Sequence, residues 1–237
     1  MAELIREAPA RVLAVYAHPD DPEVSCGGVL ASWARAGAEV HVVVATRGDK
    51  GSQDPDVDGE ALAEQRAAEA TTAAEVLGLA GLELLAHPDG ALAEVPSLVA
   101  ELVGLVRRHR PEVVVGVDPT AVFFGDGYVN HVDHRCIGWA TLDAVAPAAS
   151  SPLYFPERGR AHQVHTVLLS GTLEPDVWVD VESALDVKVA AMFCHRSQLA
   201  ADAERWLGAF VRQRAADEGR RAGVRYAEGF RRLRLVR

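Results

Sequence analysis

Two short motifs contain most of the residues whose types and spacing suit chemistry. The first is Ala17-His18-Pro19-Asp20-Asp21, which places one imidazole and two carboxylates close together in the chain. His18 and Asp21 can bind one divalent cation if the chain turns sharply between them, and the fixed φ of proline favours such a turn. Asp20 would then lie beside the cation, where a carboxylate can take a proton from water. Two adjacent aspartates alone serve more often as a helix cap and a solvated turn residue.

The second motif is Asn130-His131-Val132-Asp133-His134. His131 and His134 are three positions apart, so they share one face of a helical turn. A histidine pair of this spacing is as often structural as functional. Together with the first motif, however, the pair supplies the third protein ligand that a catalytic zinc requires and leaves a fourth position for water. Asp133 can orient one imidazole and raise its basicity.

Strands and helices alternate over the first two-thirds of the chain, since apolar β-branched runs predict strands and apolar residues at helical spacing predict helices. The predicted strands are 11–16, 39–46, 82–85, 113–117, 165–170 and 177–181, and the predicted helices are about 24–36, 60–77, 96–109, 131–146, 183–194 and 202–220. This order predicts an α/β fold with a mostly parallel sheet. We expect one Rossmann-like, three-layer αβα domain over residues 1–237, with a C-terminal helical extension from about residue 200.

Sheets of this kind bind ligands at the carboxyl ends of their strands. The loops that follow Tyr16, Thr46 and Val117 should therefore share one rim, which brings the two motifs together. The loop at 47–59 is rich in Gly, Asp, Pro and Ser and is long enough to form a wall of a site.

The composition limits the partners of the protein. The chain has 237 residues and a formal net charge of −10, which gives no general attraction to nucleic acid or to an anionic membrane. The apolar run before His18 is too short for a membrane span or a signal-peptide core, so we expect a cytoplasmic protein. The three cysteines form no CxxC pair, and Cys26 is a minor candidate for the site because it lies close to the first motif.

The two motifs resemble those of the LmbE-like (PIG-L) de-N-acetylase family. The similarity includes Gly27-Gly28, an RxxE pattern within 64–69, Lys188 and His195–Gln198, so it extends over about residues 12–198. It implies a hydrolase that depends on zinc, or on another divalent metal such as Fe²⁺, and that removes an N-acyl group, commonly acetyl. The implied partner is a small N-acylated amino sugar or glycoside. Relatives are often oligomeric, so a homo-oligomer is a further expectation.

The resemblance also implies roles for individual residues. The implied metal ligands are His18, Asp21 and His134. Asp20 would be the general base, and His131, with Asp133 as its partner, would stabilise the oxyanion or protonate the leaving amine. The implied substrate-binding residues are Arg66, Tyr128 and His195. Without the resemblance, an arginine beside glutamate on a helix is more often a surface ion pair.

The sequence departs from the family pattern at two places. The family usually has proline where this chain has Val132, a change that leaves both imidazoles and the acid in place. The segment Thr46-Arg47-Gly48-Asp49-Lys50-Gly51 does not match the corresponding loop of the mycothiol-pathway deacetylase. The substrate of that enzyme is therefore not carried over to this chain.

Two other function classes stay open from the residues alone. Two histidines and one carboxylate also form the triad of non-haem Fe(II) oxygenases. The order of strands and helices argues against that class, which would also leave Asp20 without a role. The second class is a non-catalytic α/β module that binds a nucleotide or a partner, but no GxGxxG follows the first strand.

Overall fold

The computed structural model describes residues 2–235 and is built around one large sheet. In chain order the strands are β1 (Glu3–Leu4), β2 (Arg11–Tyr16), β3 (Glu39–Thr46), β4 (Gly81–His87), β5 (Val113–Val117), β6 (Phe123–Phe124), β7 (Tyr128–Val129), β8 (Thr166–Ser170), β9 (Val177–Asp180) and β10 (Ala227–Arg234). The large sheet has eight strands in the order β1-β9-β10-β8-β5-β2-β3-β4, and β6 and β7 form a separate hairpin. The central pairs β4-β3, β3-β2, β2-β5 and β5-β8 are all parallel, which confirms the predicted sheet.

Helices cover both faces of this sheet. They are α1 (Asp21–Arg35), α2 (Gly59–Leu77), α3 (Leu98–His109), α4 (Val132–Asp143), α5 (Leu185–Met192) and α6 (Ala203–Ala222). Helices α1, α2 and α5 pack together on one side with α6 beside them, whereas α3 and α4 pack on the other. The predicted three-layer αβα arrangement is therefore confirmed.

The apolar runs that were predicted to be strands form the core of the protein. Leu13, Val43 and Val115 lie in central strands and are fully buried, because helices cover both faces of a parallel sheet. Local capping sets the ends of α2. The Asp58 carboxylate accepts the N–H groups of Glu60 and Ala61, and Gly78 ends the helix with a φ of +75°.

The C-terminal segment differs from the prediction. A helix does follow residue 200, but the chain then forms β10, which lies between β8 and β9 and runs antiparallel to both. The sequence of this strand contains Glu228, Gly229 and three arginines, a composition that is not typical of a buried strand. The predicted helical extension is therefore incomplete, since its last part belongs to the main sheet.

Two smaller differences lie near the second motif. The helix predicted over 131–146 ends at Asp143 and continues as a π-helical segment, Ala144–Ala149, that contains Pro147. In addition, a segment between the strand 113–117 and the helix 131–146, for which no element was predicted, pairs as the β6-β7 hairpin. Across residues 2–235, none of the helices has the length and apolar character needed to cross a membrane.

Candidate metal centre and active site

The first motif forms the turn between β2 and α1. The backbone N–H of His18 donates to Asp21 Oδ2 at 2.8 Å, and the N–H of Asp21 donates to the carbonyl of His18 at 3.2 Å. This pair of bonds closes a tight turn at the carboxyl end of a central strand. Asp20 is the residue before the helix, but its side chain makes no capping hydrogen bond and is available for another contact.

The two motifs meet at the rim of the sheet, as expected from the strand order. His134 lies in the first turn of α4, and its Nε2 is 3.1 Å from Asp21 Oδ1 and 3.1 Å from His18 Nδ1. His18 Nδ1 is 3.3 Å from Asp21 Oδ2. Two ligands that each lie 2.0–2.2 Å from a tetrahedral zinc are roughly 3.3–3.6 Å apart, so these separations are close to those of a shared cation.

The imidazoles of His18 and His134 are oriented by hydrogen bonds at the ring nitrogens that face away from the centre. His134 Nδ1 is 2.8 Å from Asn130 Oδ1, and His18 Nε2 is 3.2 Å from Asp89 Oδ1. With an N–H at each of these atoms donating to oxygen, the opposite nitrogen can direct a lone pair at a cation in the centre. Histidine ligands of metals are commonly oriented in this way.

The charge around His18 is a further test of whether a cation fits this centre. Besides Asp21 and Asp89, the Asp133 carboxylate lies 3.7 Å from His18 Nε2. Burial lowers the pKa of His18, but the charge of Asp21 and hydrogen bonds to the three carboxylates raise it far above its ordinary value. For Asp21 the effects are opposite in direction: burial raises its pKa, but His18 and His134 hold the pKa well below its usual range. Such a buried group of carboxylates requires positive charge, which a divalent cation supplies.

Asp89 is a residue that the sequence analysis missed. It follows β4, is buried, and bonds to His18 as described. A sequence signal did exist, because Ala86-His87-Pro88-Asp89 repeats the first four residues of the Ala17–Asp21 motif. Neither the copy nor its position after a strand of the same sheet was used in the prediction.

Asp20 contacts a buried arginine. Asp20 Oδ1 accepts a hydrogen bond of 2.7 Å from Arg66 Nη2, and Arg66 Nη1 donates to the Gly48 carbonyl at 3.0 Å. The Arg66 side chain is 3% exposed, so it is neither a surface ion pair nor open to a ligand in this structure. Its observed contact is with the candidate base, and its predicted contact with substrate stays a prediction.

The loop at 46–51, which does not match the corresponding loop of the mycothiol-pathway deacetylase, supports both Arg66 and Asp89. A β-carbon at Gly48 or Gly51 would overlap the Arg66 guanidinium in its observed position, so glycine at both positions lets the loop wrap closely around it. Asp49 Oδ1 accepts the backbone N–H of Asp89 at 3.0 Å, and Lys50 Nζ donates to the Asp89 carbonyl at 2.6 Å. The loop predicted to form a wall therefore also positions two residues of the site.

His131 and Asp133 are both at the centre, but not in the predicted pairing. The backbone N–H of Asp133 donates to His131 Nδ1 at 3.2 Å, and the two histidine rings of His131 and His18 are 4.7 Å apart. The buried Asp133 carboxylate instead accepts the N–H groups of Gly90 and Leu92 at 2.6 and 3.2 Å and lies near His18. Backbone donors thus fix this carboxylate, and no hydrogen bond joins it to the His131 ring among residues 2–235.

The remaining candidates occupy different environments. Tyr128 is half-exposed and lines the same cavity as His134, a space of about 290 Å³. His195 is buried, with Nε2 3.1 Å from Glu23 Oε2, and it lies behind α1 rather than on an open surface. Cys26 is also buried, 3.0 Å from the Tyr16 hydroxyl, and burial raises the pKa of its thiol, which is therefore a poor nucleophile.

Known proteins share both the sequence and the fold. The chain is 30% identical over 229 residues to the diacetylchitobiose deacetylase of Thermococcus kodakarensis, which covers 93% of this chain and 82% of that protein. It is 30% identical over 250 residues to the 1D-myo-inositol 2-acetamido-2-deoxy-alpha-D-glucopyranoside deacetylase of Rhodococcus jostii, covering 80% and 82% respectively.

A solved structure shows the same arrangement. The N,N′-diacetylchitobiose deacetylase from Pyrococcus horikoshii matches with a TM-score of 0.86 and 28% identity, over 95% of this chain and 84% of that one. The family model described as GlcNAc-PI de-N-acetylase matches residues 13–145, which include most of β2, all of α1 and both motifs. With more than half of its length in this match, the chain belongs to the PIG-L (GlcNAc-PI de-N-acetylase) family.

Proposed function

We propose that this protein is a metal-dependent hydrolase that removes the N-acetyl group from an amino sugar or its glycoside. The observation that carries the proposal is the convergence of His18, Asp21 and His134 beside Asp20, a carboxylate outside that group. The substrate class is taken from the relatives, because the two named above are both deacetylases of acetamido sugars.

Zinc is the metal that we propose for this centre, with Fe²⁺ as the alternative. Two histidines and one carboxylate with an open position are typical of catalytic zinc sites, and the same donors also suit Fe(II). When bound, such a cation polarises the amide carbonyl and lowers the pKa of a coordinated water. The chemistry of the donor set, and the positive charge that it requires, support this assignment.

Asp20 is the group that we propose as general base. Its hydrogen bond to Arg66 holds one carboxylate oxygen and leaves the second for the proton of the attacking water. As the water oxygen bonds to the amide carbon, the carbonyl π electrons move to the carbonyl oxygen. Asp20 then gives the proton to the amide nitrogen as the oxyanion electrons re-form the carbonyl and the C–N bond breaks. The carboxylic acid passes its remaining proton to the released amine or to solvent, so the products are acetate and the protonated amine.

His131 is the group that we propose to stabilise the developing oxyanion. Its Nδ1 accepts the backbone N–H of Asp133, so the neutral ring has its proton on Nε2. That N–H can donate to the oxyanion, and donors fixed in advance are effective because they need no reorganisation during the reaction. The role thus needs no charge on the ring.

Amine release tests the function. The purified protein is stripped with a chelator, reloaded with zinc or, without oxygen, with ferrous ion, and given N-acetylglucosamine and N,N′-diacetylchitobiose. We expect free amine and acetate in equal amounts, with and without oxygen, because hydrolysis consumes none. Turnover that requires oxygen would favour an oxygenase, and a fully loaded protein that cleaves no N-acetyl sugar would contradict the proposal and favour a non-catalytic module.

We also propose two properties that rest on the sequence and its resemblance. One is self-association, which light scattering of the pure protein would measure. The other is a cytoplasmic location, which cell fractionation would test.

A further inference from the structure

Helix α1 is broken at Cys26, shortly after the residues that it supplies to the site. Cys26 has a φ of −148° and a ψ of 27°, outside the helical region, so α1 consists of a short first part at 21–25 and a longer second part at 27–35. The first part begins with Asp21 and directly follows Asp20. A sharp break in a helix has a local cause, such as a proline or a group inserted into its hydrogen bonds.

A buried ion pair lies at this break. Lys188 of α5 and Glu228 of β10 are each 7% exposed, and Lys188 Nζ is 2.6 Å from Glu228 Oε1. In a regular helix the N–H of Gly28 would donate to the carbonyl of Val24. Here the Gly28 N–H donates to Glu228 Oε1 at 3.2 Å. The Val24 carbonyl in turn accepts from Lys188 Nζ, also at 3.2 Å. The ion pair thus bridges two backbone groups that a regular helix joins directly.

The ion pair also caps both parts of the helix. Glu228 Oε2 accepts the N–H of Val29 at 2.8 Å, so its two oxygens bind two amides at the start of the second part, where the helix dipole favours an anion. Lys188 supplies a donor to the end of the first part, where a break leaves carbonyl groups without helical partners. Gly28 makes room for the carboxylate, because a β-carbon there would lie 3.1 Å from Glu228 Oε1 and 3.0 Å from Val181 Cβ.

Stability alone does not account for a buried ion pair at this place. Two charges taken out of water lose hydration free energy that their attraction only partly returns, so an apolar pair of similar volume is often as stable. With an apolar pair, the N–H of Gly28 and the carbonyl of Val24 could bond to each other, and α1 would be straight. What the charges add is therefore the direction of the first part of α1 relative to the second.

This direction sets the place of two carboxylates of the site. The second part of α1 is held in the core, where Val29 is fully buried. At the start of the first part, Asp21 Oδ1 is 3.1 Å from His134 Nε2 of α4. Asp20 accepts a hydrogen bond of 2.7 Å from Arg66 of α2. A tilt of the first part would move both carboxylates away from partners on other elements, and a displacement of about 1 Å can lower a rate about 10²-fold.

We propose that Lys188 and Glu228 are positioning residues, which hold α1 bent so that Asp20 and Asp21 are directed at the metal centre. This inference rests on the proposed function, because it assigns the pair to the same centre. Both residues act through the backbone of α1 rather than on the reacting atoms. Strand β10, which supplies Glu228, thus connects the C-terminal part of the chain to the geometry of the site.

The test replaces both charges at once in Lys188→Met/Glu228→Met. Methionine is similar in length to both side chains and adapts to irregular space, so we expect the variant to fold with a melting temperature close to that of the wild type. Its zinc affinity, measured by competition with a chelator, should fall about 10–100-fold, and the visible absorption of the cobalt-loaded protein should change. A crystal structure should show helical φ and ψ at Cys26 and a longer separation of Asp21 from His134.

Arg107→Met provides a matched control. Arg107 is a buried residue of α3, on the other face of the sheet, and it donates to six backbone carbonyl groups between residues 148 and 159. Its replacement removes a buried charge without a change at α1. The melting temperature should therefore fall, whereas zinc affinity and the cobalt spectrum should stay those of the wild type.

A milder variant covers the case in which methionine at both positions prevents folding. Lys188→Met/Glu228→Gln removes both charges but keeps an acceptor oxygen for the amides of α1. We expect it to bind zinc more weakly than the wild type, by a smaller factor than the first variant. Zinc affinity equal to that of the wild type in this variant would overturn the inference.

Other results would overturn it as well. They are an α1 that stays bent at Cys26 in the double methionine variant, an unchanged zinc affinity and cobalt spectrum in that variant, or an equal loss of zinc affinity in Arg107→Met, which would indicate general destabilisation. None of these measurements needs turnover, so they test the inference even if no N-acetyl sugar is cleaved. If the wild type binds no zinc, the proposed function fails, and the separation of Asp21 from His134 in the two crystal structures still decides whether the pair positions α1.

Discussion

The tetrapeptide Ala-His-Pro-Asp occurs twice in the chain, at 17–20 and at 86–89, and the two copies have different structural roles. Both lie at the carboxyl ends of strands of the same sheet, the first after β2 and the second at the end of β4. Identical residues in equivalent topological positions would be expected to contribute the same groups to the site. They do not, and the difference shows what sets the role of a side chain here.

The two copies contribute different side chains to the site. In the first copy the histidine, His18, faces the candidate metal centre, and the aspartate bonds to Arg66. In the second copy the histidine, His87, pairs with Glu101 of α3 at 2.9 Å, and it is the aspartate, Asp89, that reaches the centre.

The backbone explains this difference. Asp21, which follows the first copy, opens α1 with right-handed backbone, and none of residues 17–21 has a positive φ. In the second copy Ala86 has a φ of +61° and Gly90 a φ of +77°, so the chain enters and leaves through left-handed positions. Left-handed backbone at the start of the motif redirects every side chain that follows. The residue types supply the chemistry, and the local path decides which of them is used.

Replacing the histidine of each copy in turn should produce the largest difference between the two copies. We expect His18→Ala to lose bound zinc and to lower activity to background, at least about 10³-fold, because one of three protein ligands is gone. His87→Ala removes a partly exposed ion pair worth at most about 1 kcal/mol, so metal content and activity should stay close to wild type. Elemental analysis and amine release measure both. Stoichiometric zinc in His18→Ala would reject its role as a ligand.

The aspartate of the first copy should give the next largest effect. Asp20→Asn keeps the proposed metal ligands and an oxygen for Arg66 but removes the proposed base, so we expect kcat to fall about 10²–10⁴-fold with metal content unchanged. Amine release at saturating substrate, with zinc measured in the same sample, separates the two quantities. Activity equal to wild type would require another base, whereas loss of zinc would place Asp20 among the ligands.

The sequence predicted the fold well where burial is uniform. Fully buried parallel strands such as β2 and β5 are apolar throughout, so their pattern has one interpretation. β10 was missed because its ladder partners, β8 and β9, are distant in the chain and because its Glu228 is satisfied by Lys188 and by the N–H groups of Gly28 and Val29. A charge that is neutralised by a tertiary contact cannot be distinguished from a surface charge in a single sequence.

The sequence predicted the members of the site better than their contacts. Topology alone placed the two motifs on one rim, and the structure brings His18, Asp21 and His134 together there. The contacts of the Asp133 carboxylate could not be predicted, because they are made with backbone N–H groups at Gly90 and Leu92, which no side-chain pattern reports. Asp89 was missed because its copy of the motif has no second aspartate and no α-helix begins directly after it.

Replacement of Asp89 should have an effect of intermediate size. Its carboxylate fixes the ring of His18, so we expect Asp89→Ala to weaken zinc binding by about 10–100-fold, as other carboxylates behind histidine ligands do. Asp89→Asn keeps an acceptor oxygen and should lose less. Titration with a competing chelator gives both affinities. If both variants bind zinc as tightly as the wild type, the second copy contributes nothing to the metal centre.

The smallest expected effect tests the backbone explanation directly. Ala86 is exposed and left-handed, a conformation that costs a non-glycine residue about 1–2 kcal/mol, so Ala86→Gly should raise the free energy of unfolding by about 0.5 kcal/mol after the entropy cost of glycine. Ala17 is fully buried without a positive φ, so Ala17→Gly loses a methyl contact and should lower that free energy by about 1–2 kcal/mol. Urea unfolding of both variants compares the signs. Equal destabilisation would mean that residue 86 is unstrained, and side-chain contacts alone would then have to account for the different roles of the two copies.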